Sequence, residues 1–100
     1  MTIADLDPVI HAPKRLGAMA ILAASKTVEF AYLRDHLEVS DSDLSKQMAT
    51  LCEAGYARVR KDGRGRGSTT WFSITLKGLA AFKGHVAALQ ALVEVAGADG

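Results

Sequence analysis

Six basic side chains, Arg58, Arg60, Lys61, Arg64, Arg66 and Lys77, crowd residues 55–77 against one acid, Asp62, a local balance of +5 in a chain of net charge +1. Clustered guanidinium and ammonium groups bind polyanions, because every phosphate they neutralise releases a condensed counterion. The glycines of Gly63-Arg64-Gly65-Arg66-Gly67 let a backbone approach such a polymer closely. The preceding stretch, 29–54, has the opposite sign: Arg34 and Lys46 stand against six acids, a balance of −4.

Other reactive types are sparse. Cys52 is single, so neither an internal disulfide nor a cysteine metal cluster is expected. It follows Leu51 as a half-buried packing residue, and Glu53 beside it does not favour a thiolate. His11, His36 and His85 stand 25 and 49 residues apart with no cysteine partner, so no metal site is expected. The acids of 29–43 scatter over two segments and form no catalytic pair, and no Ser/His/Asp or Cys/His set is present. The Gly63–Gly67 run is not followed by a helix in the strand–loop–helix order that a nucleotide cradle needs. The chemistry is therefore binding: no enzyme, no cofactor.

One hundred residues of 10.6 kDa suit a single domain, 1–100. With 49% hydrophobic and 23% charged residues, the chain can bury one core. The longest charge-free runs, 16–25 and 84–93, reach about half a membrane span, and no basic residue precedes Lys14 for a secretory signal. A cytoplasmic protein with no membrane partner is expected.

These side chains need elements to hold them. Asp7-Pro8 predicts a short helix at 8–11, and Pro13 a second to about Ala24 with Leu16, Met19 or Ala20, and Ala23 on one stripe. Residues 25–27 break that pattern, and Phe30, Leu33 and Leu37 mark a third helix over 29–37. Ser40 caps the clearest helix, 41–54, with Asp43 in the position that closes a capping box. Leu44, Met48 and Leu51 form its apolar side, Gly55 its stop, and Ser42, Ser45, Lys46, Ala49 and Thr50 its small polar side. Residues 56–61 and 69–74 alternate as strands around the glycine loop, an antiparallel hairpin that Trp71 braces. Arg58 and Arg60 fall on one side of it, Ala57 and Val59 on the other. Thr75 caps a final helix to about Ala96, where Leu79, Phe82, Val86, Leu89, Val93 and Ala96 step by threes and fours. That narrow repeat is a dimer seam, or a stripe folded back on its own core.

Two short helices with a polar face on the second form a helix-turn-helix, which lays its second helix in the DNA major groove. The hairpin becomes a wing, with Arg64 and Arg66 at the tip aimed at phosphates or a narrow minor groove and Arg58 and Arg60 at its base. Strand arginines there also pair readily with acids. The stretch Leu6-Asp7-Pro8-Val9-Ile10-His11-Ala12-Pro13 resembles the opening of small bacterial winged helix-turn-helix regulators related to the MarR and ArsR groups. Phe30-x-x-Leu33, Leu44-Ser45-Lys46, Leu51-x-x-Ala54-Gly55-Tyr56, Thr70 and Ile74-Thr75-x-x-Gly78 extend the resemblance over residues 6–92. It implies an α+β, mostly α fold with a two-stranded wing and a dimerisation helix over 75–96.

It further implies a homodimeric transcriptional regulator on a pseudo-palindromic duplex. Ser42, Ser45, Lys46, Ala49, Thr50, Arg58, Arg60, Arg64 and Arg66 are the expected DNA contacts, and Leu79, Phe82, Val86, Leu89 and Val93 the dimer interface. Asp43 departs from the pattern: an acid near phosphate acts as a cap or accepts from cytosine. A small-molecule effector between the dimer helix and the core is a further partner compatible with this reading. The alternative, favoured by the acidic balance of 29–54, is a protein–protein interaction module on a winged-helix scaffold without specific DNA binding.

Overall fold

A computed structural model describes residues 5–63 and 65–98. The elements run α1 (Pro13–Ser25), β1 (Thr27–Glu29), α2 (Phe30–Leu37), α3 (Asp41–Glu53), β2 (Ala57–Asp62), β3 (Thr69–Ile74) and α4 (Leu76–Ala98), with a 3-10 turn at Gly65–Gly67. The α+β, mostly helical winged architecture is the expected one.

The short helix expected at 8–11 is a turn instead. Asp7 Oδ1 accepts from the N–H groups of Val9 (2.9 Å) and Ile10 (3.3 Å), and His11 N–H donates to Asp7 O at 2.7 Å. The ladder cannot propagate, because Pro13 has no amide hydrogen to donate and holds Ala12 extended at φ −140°, ψ 130°. Proline then opens α1, where a missing donor costs nothing.

The break at residues 25–27 also holds a strand. Lys26 ends α1 in a positive-φ conformation (69°), its N–H on Leu22 O at 2.7 Å, and Thr27–Glu29 pair antiparallel with β3, Val28 opposite Phe72. The sheet is therefore three-stranded, ordered β1-β3-β2, with β1 added to the expected β2–β3 hairpin. Three residues show no periodicity of their own, and β1 exists because β3 supplies its partners.

Leu22, Leu33, Leu44, Met48 and Leu51 form the core with Val28 and Phe72 from the sheet. Ser40 Oγ caps α3 by accepting the Asp43 N–H at 3.1 Å. The reciprocal half of the capping box is missing, because the Asp43 carboxylate turns to Lys14 Nζ and to Gln47 Nε2 (3.0 Å). Ser40→Ala is expected to lower stability by about 1 kcal/mol, seen as a lower urea midpoint at unchanged m-value.

Gly55, at φ 80°, turns the chain out of α3 into β2, a conformation that favours glycine. The start of α4 is fastened to this corner. Thr75 N–H donates to Tyr56 O (3.1 Å), and Thr75 Oγ1 donates to Gly55 O (2.6 Å) while accepting the Gly78 N–H (2.9 Å). α4 buries Gly78, His85 and Ala88 and packs on α1. Its far half projects, which makes the molecule 56 × 25 × 20 Å.

Candidate nucleic-acid interface

α3 has three differently occupied sides. Leu44, Met48 and Leu51 enter the core. Asp43 and Gln47 face α1, where Lys14 holds Asp43 and Arg15 Nη1 donates to Gln47 Oε1 at 2.8 Å. The Gln47 bond first, then Lys14, keeps the Asp43 carboxyl below the usual range. This acid therefore serves the α1–α3 contact and does not stand free on the groove side. The third side carries Ser42, Ser45, Lys46 and Ala49, all exposed, with half-buried Thr50 at its margin. The Thr50 hydroxyl donates to Lys46 O at 3.2 Å, so the helix backbone engages it. All five expected α3 contacts thus fall on one surface of small side chains around one ammonium.

The sheet divides the basic block by parity. Ala57, Val59 and Lys61 share the face toward the helices, and Arg58 and Arg60 share the opposite face. Ser45 and Ala49 line a cleft of about 300 Å³ with Val59, Lys61 and Thr70 across it. Lys61, absent from the contacts expected from sequence, thereby stands beside α3. The signal that finds it is its even spacing from Val59 and Ala57. Arg58 lines a separate groove with Lys26, Ser73 and Leu79, and Arg60 pairs with Asp62 at 3.2 Å. Arg64 lies outside the described residues, as does the side chain of Arg66.

The acidic surface of α2 and the α3 N-terminus is partly neutralised internally. Arg34 binds Asp35 at 3.0 Å and Asp41 at 3.1 Å, and these contacts, Asp35 first, raise its already high pKa further. Cys52 is half-buried against the cleft, and burial pushes its thiol up, away from the thiolate a redox sensor needs. Among the described residues, no group of three or more His, Cys, Asp or Glu side chains is placed to hold a metal ion.

The expected seam on α4 divides. Phe82 packs on the core cluster, Leu79 lines the Arg58 groove, and Val86, Leu89 and Val93 line an open groove with Gln90 and Glu94. Val93 is 70% exposed. At about 100° per residue, this stripe lies roughly a quarter turn from the side that buries Gly78, His85 and Ala88. One apolar helix therefore offers two adjacent faces, and only one is covered by its own core.

Comparison with known proteins agrees with this geometry. The winged helix DNA-binding domain family matches residues 14–93. An uncharacterized protein of Methanocaldococcus jannaschii, MJ0432, is 30% identical over 79 residues, 78% of this chain and 85% of its own length. Among solved structures, a transcriptional regulator homologue from Pyrococcus horikoshii OT3 superposes with a TM-score of 0.81 at 23% identity, over 86% of this chain and 85% of that one. A structure named "Possible transcriptional regulator for arsenical resistance" has a TM-score of 0.70 at 25% identity and covers 99% and 98% of the two chains. The fold and the family are those of DNA-binding regulators, not of enzymes. With its helix-turn-helix, three-stranded sheet and long last helix, this chain belongs to the winged helix DNA-binding domain family.

Proposed function

We propose that this protein is a cytoplasmic, sequence-specific transcriptional regulator that binds duplex DNA as a homodimer, with α3 in the major groove and the β2–β3 hairpin on the backbone or minor groove. The observation that carries this reading is the exposed face of α3, with Ser42, Ser45, Lys46 and Ala49 beside Lys61 across a shallow cleft. Small side chains let a helix sink into the groove, where Ser45 and Lys46 reach base edges or phosphates. Arg64 and Arg66, between the two wing strands in sequence, supply further charge.

The dimer rests on area and composition. The chain exposes 6407 Å², about 900 Å² more than a compact monomer of its mass. A standard interface takes about 800 Å² from each partner. The helix stretch Leu76–Gly97, with an 18-residue window of mean hydropathy 1.3, also has the length and composition of a membrane span. A helical seam explains it better, since one face packs on the winged core and the other is the open Val86–Leu89–Val93 groove. A two-fold axis through that seam sets two α3 helices about 34 Å apart, which suits a pseudo-palindromic site.

Fluorescence anisotropy on random duplexes across about 50–300 mM salt tests this reading. Log K is expected to fall linearly with log salt, and Arg64→Ala/Arg66→Ala to reduce the slope by about two. On a selected operator, Lys46→Ala is expected to cost about tenfold in affinity, more than on random DNA. No binding at the lowest salt would sink the proposal in favour of an interaction module. The acids that favour that alternative are partly paired with Arg34 and Lys14.

A further inference from the structure

His85 is 1% exposed in an otherwise apolar stretch of α4, and the proposed function makes no use of it. Its Nδ1 lies 3.0 Å from the backbone nitrogen of Asp7. An amide can only donate, so this ring nitrogen is bare and the neutral ring carries its proton on Nε2. That proton is then donated to Nδ1 of His11, 3.2 Å away. The chain of bonds continues beyond the two rings. Asp7 Oδ1 caps the 8–10 turn, while Asp7 Oδ2 accepts the Tyr56 hydroxyl at 2.6 Å. Tyr56 forms the corner between α3 and β2, where Lys77 Nζ stands 5.7 Å from its ring. Arg15 reaches over from α1 to Val9 O. One polar network thus joins the N-terminal turn, the end of α3 and the last helix.

We propose that the His85–His11 pair is a proton-operated latch: neutral, it fastens the 7–11 turn to α4 and to the Tyr56 corner; protonated, it releases them. A second proton on His85 goes to Nδ1, facing the Asp7 N–H. This replaces the bond by two opposed donors at a buried ring.

The direction of the response follows from burial. Desolvation first, then His11, lowers the His85 pKa, and the Asp7 carboxylate offsets this only in part. The unfolded chain therefore binds the proton more readily than the folded one. Stability is complete above about pH 6.5 and is lost as the pH falls through the lower folded value. Asp7 acts in a separate window. Burial raises its pKa, but the bonds from Tyr56, Val9 and Ile10 and the charge of His85 outweigh this, and the carboxyl ends below its usual value. Its contribution is lost only below about pH 4.

The latch stands on its own geometry; its consequence for DNA rests on the proposed function, because releasing Asp7 frees the tyrosine that closes α3. The test compares wild type with His85→Gln at pH 7.5 and 5.5. Glutamine can accept from Asp7 and donate to His11 without titrating. Long-range 15N–1H spectra are expected to show His85 as the Nε2–H tautomer at pH 7.5, and the Asp7 amide to lose exchange protection in step with His85 protonation. The wild-type Tm is expected to fall by about 4–8 °C more than that of H85Q, at equal protein concentration. A His85 proton on Nδ1 at pH 7.5, or equal Tm losses in both proteins, would overturn the latch. If H85Q does not fold, the wild-type spectra decide alone. On random duplex DNA, the wild type at pH 5.5 is expected to bind about tenfold more weakly than H85Q. Equal affinities there would overturn the reach of the latch to α3. No DNA binding by either protein at either pH, with the latch opening as described, would refute the regulator reading and leave the latch standing.

Discussion

Gly78→Ala is expected to cost the fold about 3 kcal/mol or more, a large share of the roughly 5–15 kcal/mol that holds a small domain together. A Cβ at this position would lie 2.1 Å from the Tyr56 carbonyl oxygen, 2.8 Å from its carbon and 2.9 Å from its Cα. All three atoms are backbone, so no flexible side chain can yield. α4 must instead move off the corner, stretching the Thr75 N–H bond to Tyr56 O and the Thr75 hydroxyl bond to Gly55 O. Overpacking costs about 1–3 kcal/mol, and each strained hydrogen bond adds about 0.5–1.5. Gly84 provides the control, since its Cβ would meet nothing within 4 Å. Gly84→Ala is expected to raise stability by up to about 1 kcal/mol through helix propensity alone. Urea unfolding of the two variants separates these effects. Similar midpoints would show that α4 does not seat on Tyr56 this closely.

If the proposed dimer forms through α4, Leu89→Glu is expected to give a folded monomer and to weaken binding of a palindromic duplex by about a hundredfold or more. Leu89 lies half-buried between Val86 and Val93 in the open groove of α4, outside the side chains that pack on the core cluster. In the proposed dimer the two-fold axis would bring each new carboxylate toward its symmetry mate in an apolar seam, where an unpaired charge is costly. Loss of the partner removes the linkage between two half-sites, which contributes about 10²–10⁴ in affinity. The protomer keeps its fold, because the substituted side chain leaves the core untouched. Sedimentation equilibrium reads the monomer, circular dichroism the intact helices, and anisotropy the lost affinity. A dimer of wild-type affinity would place the interface elsewhere.

Both outcomes depend on α4, whose reading shows how far sequence reasoning reaches. The threes-and-fours repeat from Leu79 to Ala96 marks an apolar helix. It does not reveal that the same helix buries Gly78, His85 and Ala88 about a quarter turn away. On a helix this apolar nearly every face resembles a seam, and only the packing of α1 and Tyr56 against it tells them apart. His85 was legible as a lone histidine. The donor that satisfies its Nδ1 is the Asp7 amide, 78 residues distant in the chain.

What the sequence determined by itself was local and periodic: the Ser40 cap, the Leu44–Met48–Leu51 stripe, the positive-φ turn at Gly55, the two hairpin strands and the start of α4 at Thr75. Each rests on residues a few positions apart, whose propensities and spacing agree without help from distant contacts. The tertiary structure decided whatever needs a second surface. β1 exists because β3 is beside it, and the Asp43 carboxylate leaves the cap because Lys14 arrives from α1. Lys61 and not Arg58 stands beside α3, because strand parity says which residues share a face and only packing says which face meets the helix.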